Sequence, residues 1–368
     1  MSHIPQEVIT EILSWAQVKT LLRFRCVCKS WCVLIDSQRF VKMHLNRTLK
    51  SSSDQKLLLS GHILNSADFD SIFETNIAKI EQIDPPVRCL PTGIQVIGCC
   101  NGLVCLTGTS YKHKTSVMLW NPSTRKSKEL PHLDECITHY LGFGYDAVHD
   151  DYKVASIMQS EDALHTTLRV YSSRSNTFGK VQEFPYGSVI NGADGVFAVG
   201  VLHWIVSSGL DEPGKWIVAF NLATETTQLV PQPDCRLKKG FKSNLAVLEG
   251  NLSLIYYYRE KYTADIWIMK DYGKKESWEK IASIRNQILL EKNDEDLVCY
   301  DLEEKSAKSV ELQGDLGLYF QYGVYSGSLV QLNSGDPTKG DDRGPGFGKQ
   351  KKNRKRDNFL STGFKLVL

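Results

Sequence analysis

Three cysteines and a histidine near the N-terminus, Cys26, Cys28, Cys32 and His44, are the first side chains in the sequence whose chemistry could hold a metal ion. Thiolates and imidazoles suit zinc, but this spacing matches no common zinc ligand pattern. None of the ten cysteines forms a C-x-x-C pair. In a reducing compartment they read as small buried hydrophobes. Gly142-Phe143-Gly144 has the start of a phosphate-cradling loop but no third glycine and no helix to follow, so a glycine pair in a strand is the simpler reading. Cys136-x-x-His139 and Asp150-Asp151 lack partners at ligand spacing. His203-Trp204 follows a strand turn, where core packing outranks chemistry. The sequence contains no serine elbow, no His–Glu metal motif and no Walker loop. It predicts a non-catalytic protein with no cofactor and no metal.

Two further clusters point to binding. Tyr256-Tyr257-Tyr258-Arg259 alternates aromatic side chains along a strand, so one face packs inward while Tyr257 or Arg259 is left as a candidate contact to a target. Near the C-terminus Lys351, Lys352, Arg354, Lys355 and Arg356 form a dense basic cluster. It reads either as a solvated disordered tail or as a nuclear-import signal. Without interleaved aromatics it is not a dedicated nucleic-acid surface.

The elements that position these groups change character along the chain. In the first fifty residues Pro5 opens a helix, and Val8, Ile9, Ile12 and Leu13 follow helical spacing. A second short helix begins near Val18 with Leu21, Leu22 and Phe24. A third begins near Ser30 with Trp31, Leu34 and Ile35. Three helices this short bury too little apolar surface to be secure alone, so their exposed stripe needs a partner.

The run from His3-Ile4-Pro5 to Leu13, followed by Val18-Lys19-Thr20-Leu21-Leu22 to Lys29-Ser30-Trp31, resembles the F-box of plant F-box proteins. The resemblance implies docking to the Skp adaptor of a cullin-based (SCF) ubiquitin ligase. Carried over, Ile4, Pro5, Ile9, Ile12, Leu13, Leu21, Leu22, Val27 and Trp31 form the docking core or face, helices laid into an apolar groove with basic residues orienting an acidic partner. Where the family has Leu-Pro, this chain has Ala16-Gln17. The change frees the turn between the first two helices and is expected to weaken adaptor binding.

From about residue 90 the pattern becomes short apolar runs divided by turn residues. Aromatics Trp120, Tyr171, Phe220 and Trp267 recur 51, 49 and 47 residues apart. A turn lies 17 to 21 residues before each of them. One period holds about four strands, the signature of propeller blades. A fifth copy, Leu297–Leu302, follows early, so its first hairpin is expected to be shortened or lost. The run Tyr322–Val330 is left to close the ring or cap it.

The expected fold is α+β: a three-helix F-box over 1–45, a linker or entry segment over 46–89, an all-β propeller-like domain of five to six sheet units over 90–332, and a basic disordered tail over 333–368. The motifs Cys100-Asn101-Gly102-Leu103, Leu119-Trp120-Asn121-Pro122-Ser123-Thr124 and Leu202-His203-Trp204 make the β region similar to the kelch-like F-box-associated domain, which implies recruitment of a target protein. The alternatives are a scaffold working outside any ligase and a propeller-type small-molecule binder.

Charge and length agree with a bridging protein. Across 368 residues the net charge is only +2, yet residues 1–50 carry eight Lys/Arg against three Asp/Glu and residues 336–368 carry nine against four. The middle is therefore acidic, with 27 basic and 35 acidic residues. Basic ends on an acidic body suggest two electrostatic tasks. No stretch reaches the roughly 18 apolar residues of a membrane span, and the N-terminus lacks the features of a signal peptide, so a cytosolic or nuclear location without membrane contact is expected.

Overall fold

The structure is a computed structural model. It describes residues 4–51, 54–61, 63–84, 93–109, 115–131, 138–159, 166–186, 189–190, 194–207, 215–234, 241–248, 250–258, 263–281, 287–292, 296–301, 306–313, 321–332 and 364–366. The chain opens with four helices: α1 (Gln6–Leu13), α2 (Val18–Phe24), α3 (Lys29–Asp36) and α4 (Gln38–Ser51). Pro5 sits at the N-cap of α1 with φ −55° and ψ 144°, an extended geometry compatible with proline. The fourth helix carries the helical unit past the expected boundary at residue 45.

Beyond it, six sheets of four or five strands follow one another around a propeller. In chain order the first four blades lie over 94–129, 138–183, 189–230 and 241–280. In each, antiparallel hairpins run from an inner to an outer strand. The aromatics of the sequence repeat all fall on the third strand. Trp120, Tyr171 and Phe220 are almost wholly buried there. After each of these three strands comes a tight hairpin ending in a left-handed residue, Arg125, Asn176 or Glu225. In the first and third blades a side chain builds the turn: the Asn121 Oδ1 accepts from the Ser123 and Thr124 N–H groups, and Asn221 does the same for Ala223 and Thr224. These are Asx turns, and they explain why an asparagine follows the aromatic in both.

The fifth blade contains Gln287–Lys292, Asp296–Asp301 and Ser306–Ser309, and its remaining strand is Phe364–Leu366 from near the chain end. The first hairpin of the fifth repeat, expected to be shortened or lost, thus keeps its second strand, Gln287–Lys292, and takes its first from a distant segment. This corrects the expectation of a wholly disordered tail. Residues 351–356, with the basic cluster, lie outside the described residues.

The sixth blade closes the ring. Its inner strand is Gln321–Ser326, and Gln55–Ser60, Leu64–Asp68 and Glu81–Gln82 complete it. Residues 46–89 are therefore not a linker. They contribute the end of α4, a helix (Phe69–Thr75) and strands of the closing blade. The physical reason is burial: Leu57, Leu58, Leu59 and Leu64 are all fully buried, a near-continuous apolar run of the kind that covers both faces of a strand.

Candidate functional site

The helical unit sits on the face of the propeller where the first and third hairpins of each blade turn. Leu13, Val18, Leu21, Ile35, Phe40, Val41 and Leu45 join Leu103, Leu119, Leu141 and Val154 of the first two blades in one continuous apolar cluster. A strap after the last blade strand, residues 327–332, runs between the two units. Its Leu329, Val330 and Leu332 belong to the same cluster, and the Asn121 Nδ2 donates to the Ser328 and Val330 carbonyls at 3.0 and 2.9 Å. Where the last blade strand passes into the strap, the chain comes so close to Gly102 that a Cβ there would lie 2.6 Å from the Ser326 carbonyl oxygen, a contact only glycine permits.

Polar contacts fix the orientation. The Lys42 ammonium lies 2.7 Å from Asp150, and Gln38 donates to the same carboxylate oxygen at 3.0 Å. Asp54 accepts from the backbone N–H of Val18 at the start of α2, while its own carbonyl accepts from Gly327 at 3.0 Å. Burial raises the Asp54 carboxyl above its ordinary range despite the nearby Lys56. A single residue at the entrance to the propeller thus touches both the helical unit and the strap.

The nine expected docking residues divide into three groups. Ile4, Pro5, Ile12 and Val27 are exposed. Ile9, Leu22 and Trp31 are half-buried against the shared cluster, with Trp31 packed edge-on to Phe24 at 5.5 Å. Leu13 and Leu21 are 2% and 0% exposed. These last two hold the helices to each other and to the sheets, so they are core residues and offer no surface to an outside partner. The physical reason is helical rotation: Ile12 and Leu13 are adjacent in sequence but about 100° apart around α1.

The sequence reading also missed members of the open face. Val8, Trp15 and Val33 are 45%, 70% and 72% exposed. Val8 and Ile12 lie four positions apart on α1, which would have identified one helical stripe, with Ile4 just ahead of the helix. Trp15 extends it past the end of α1. The Arg47 guanidinium stacks 4.8 Å from the Trp15 ring and binds both oxygens of Glu11 at 2.7 Å, while the indole N–H donates to Glu11 at 3.3 Å. These bonds hold the Glu11 carboxyl below its usual range, the Arg47 contact most of all. The indole is therefore held in place although it is exposed. Lys19, Arg23, Lys29 and Arg39 add exposed positive charge around the face.

The turn at Ala16-Gln17 is held without the proline. The Ala16 N–H donates to the Leu13 carbonyl at 3.0 Å, and its carbonyl lies 2.9 Å from the Nε2 of buried His44 on α4. Burial lowers the His44 pKa, so the neutral ring donates there from Nε2 and leaves Nδ1 unpaired.

The residues weighed for chemistry take structural places. The described residues hold no group of three or more potential metal ligands, and Cys26 and Cys28 are exposed on the helical unit while His44 is buried. At Gly142 an added Cβ would lie 2.6 Å from the Trp204 ring, so this glycine serves close approach of the second and third blades, as the strand reading expected. His203 is fully buried, with Nε2 2.8 Å from the Tyr272 hydroxyl of the next blade; burial pushes its pKa down to about 4. Asp150 and Asp151 shape turns, Asp151 accepting from the Ser172 and Ser173 hydroxyls and the Arg174 N–H. Cys136 lies outside the described residues, and His139 lies on the strand Thr138–Asp146.

The opposite propeller face is formed by the other strand ends, at the pairs Thr109↔Thr115, Gln159↔Thr166, Ser207↔Lys215 and Tyr258↔Thr263. Tyr257, opposite Lys242 and Ala264, lies on that rim. Its neighbour Tyr256 is the inward one, 1% exposed. Arg259 lies outside the described residues.

Comparison with known proteins agrees with this two-part architecture. Residues 1–43 match the F-box domain, and residues 53–326 match the F-box associated beta propeller domain. Among characterised sequences, the F-box protein CPR1 of Arabidopsis thaliana is 30% identical over 428 aligned positions spanning all of both chains. An F-box/kelch-repeat protein of the same plant is 30% identical over 298 positions, covering 77% of this chain and 79% of its own.

Proposed function

This chain belongs to the family that joins an F-box to an F-box associated beta propeller domain, and from that premise we propose that it is the substrate-recognition subunit of an SCF-type ubiquitin ligase. The helical unit docks the Skp adaptor, and through it the cullin. The propeller holds a target protein, whose lysines are then ubiquitinated by the assembled machinery. The observation that carries the reading is the division of the helical unit into two faces. One is sealed into the propeller core. The other leaves Ile4, Val8, Ile12, Trp15 and Val27 uncovered, a set of exposed apolar side chains of the kind that marks an interaction site.

The mechanism requires no bond-making residue in this chain. A rigid bridge raises the local concentration of target lysines at the ubiquitin-charged enzyme, turning a rare encounter into a proximity-driven one. The shared core, the Lys42–Asp150 pair and the strap supply the rigidity. Target contact on the rim bearing Tyr257, away from the helices, leaves the adaptor unobstructed. The cytosol and nucleus are the compartments proposed for this work.

The test is co-purification of the Skp adaptor with the full chain carrying Ile12→Asp and Val27→Asp. Both positions are exposed, so thermal unfolding should stay unchanged while the adaptor is lost. Undiminished recovery of the adaptor by the folded variant would overturn the proposal. A scaffold acting outside any ligase is disfavoured by the Ala16–His44 contact, which orders the turn where the sequence departs from its family.

A further inference from the structure

Between α3, α4, the strap and the hairpin ends of the first two blades lies a cavity of about 890 Å³. Its lining is of two kinds. Val41 and Leu45 of α4, with Val330 and Leu332 of the strap, are apolar. Tyr145 and Tyr152 add two rings whose centroids are 4.9 Å apart.

The charged groups are unequally satisfied. Of the two carboxylates, Asp150 already accepts from Lys42, Gln38 and the Tyr145 hydroxyl, and Asp36 is paired with Arg25 at 2.7 Å. Of the cations, Lys42 is held by Asp150, while among the described residues Lys128 and Arg174 hydrogen-bond to neutral carbonyls, Arg174 lying near enough to Asp150 to help lower that carboxyl's pKa. The Lys128 ammonium donates to the Ser173 carbonyl at 3.0 Å, and the Arg174 guanidinium to the His149 carbonyl at 3.0 Å. Lys128 is half-buried, and burial lowers its pKa in spite of nearby Asp151. The Asp151 carboxylate is occupied by two serine hydroxyls and a backbone N–H. Lys128, anchored on the Ser173 carbonyl, and Arg174, the next residue of that turn, thus line a partly apolar cavity, and among the described residues neither forms a salt bridge.

We propose that this cavity binds a small organic anion with a flat apolar body, its carboxylate on Lys128 and Arg174 and its body among Tyr145, Tyr152, Val41 and Leu45. Arginine and lysine give charge-assisted bonds to a carboxylate, and a few convergent polar groups on an apolar lining are the usual makeup of a small-ligand site. The occupant touches both units at once, so it ties the helices to the propeller. This site is separate from the outward stripe on α1, and its occupancy is measured independently of adaptor docking.

The test uses 2-naphthoate as probe against the full chain, by isothermal titration with saturation-transfer NMR as a second readout. Binding is expected with a dissociation constant below about 1 mM, weakened about tenfold or more by Lys128→Gln with Arg174→Gln, and equally by replacing the probe with neutral 2-naphthamide. Both glutamines still donate hydrogen bonds, and an unchanged melting temperature establishes that the variant is folded. Absence of naphthoate binding, equal affinity for the double variant, or equal affinity for the amide would each overturn the proposal.

Discussion

The Lys42 ammonium on α4 lies 2.7 Å from the Asp150 carboxylate at a hairpin of the second blade, although the two residues are separated by 108 positions in sequence. Gln38 and the Tyr145 hydroxyl donate to the same carboxylate. Asp150 is thus one polar node of the junction between the helices and the propeller. Because both charges remain partly exposed to water, the pair fixes geometry more than it adds stability.

Asp150→Ala is therefore expected to lower unfolding stability by only about 1 kcal/mol, while the α4 amides exchange hydrogen faster than those of the propeller strands. Hydrogen–deuterium exchange read by mass spectrometry checks this. Equal protection of α4 in variant and parent would show that the apolar cluster alone fixes the helices.

Two aspartate substitutions separate core from surface on the helical unit. Leu21→Asp places an unpaired charge at a fully buried position and is expected to cost about 3 kcal/mol or more, visible as a lower melting temperature. Ile12→Asp lies at a position 62% exposed and is expected to leave the melting temperature within about one kcal/mol-equivalent of the parent. Similar losses in both would mean that the helical unit has no distinct buried and exposed faces.

The same pair shows what was legible in the sequence. Helical spacing announced the apolar residues of α1 but not which of them faced inward, because that depends on sheet residues such as Leu103 and Leu141, far along the chain. The blades were legible where neighbouring strands are also neighbours in sequence, as around Trp120, Tyr171 and Phe220. They were not where the ring closes: Leu57 pairs with Val324, and no local pattern reports a partner so distant. Leu57–Leu59 lacks the alternation of a half-exposed strand because it is buried on both faces. The cavity at Lys128 and Arg174 was equally hidden, since its lining comes from six separated stretches of chain.

Lys153 joins the second blade to the third. Its ammonium lies 3.1 Å from Asp146 and 3.0 Å from Glu225, and donates to the Leu222 carbonyl at 2.6 Å. The side chains of Lys153 and Asp146 are 8% and 0% exposed. Removing Asp146 takes from the buried Lys153 ammonium its fully buried counter-charge and leaves it to Glu225, which is 39% exposed. Asp146→Ala is expected to lower stability by about 3 kcal/mol, measured by urea unfolding, and Asp146→Ala combined with Lys153→Met to recover part of it. A double variant less stable than the single one would contradict this account.

His203 links the third and fourth blades and gives the fold a defined acid sensitivity. Its ring is fully buried against the Tyr272 hydroxyl and the Val196 carbonyl, and burial depresses its pKa from 6.5 to about 4. The unfolded chain therefore binds a proton at this residue more readily than the folded one. Its contribution to stability is fully present above about pH 6.5 and is lost as pH falls toward 4, by up to about 3 kcal/mol. His203→Gln can still bond Tyr272 but does not titrate, so its urea midpoint is expected to fall less steeply than the parent's between those pH values. Parallel slopes in parent and variant would show that another buried imidazole, such as His44, whose pKa burial also lowers, accounts for the whole effect.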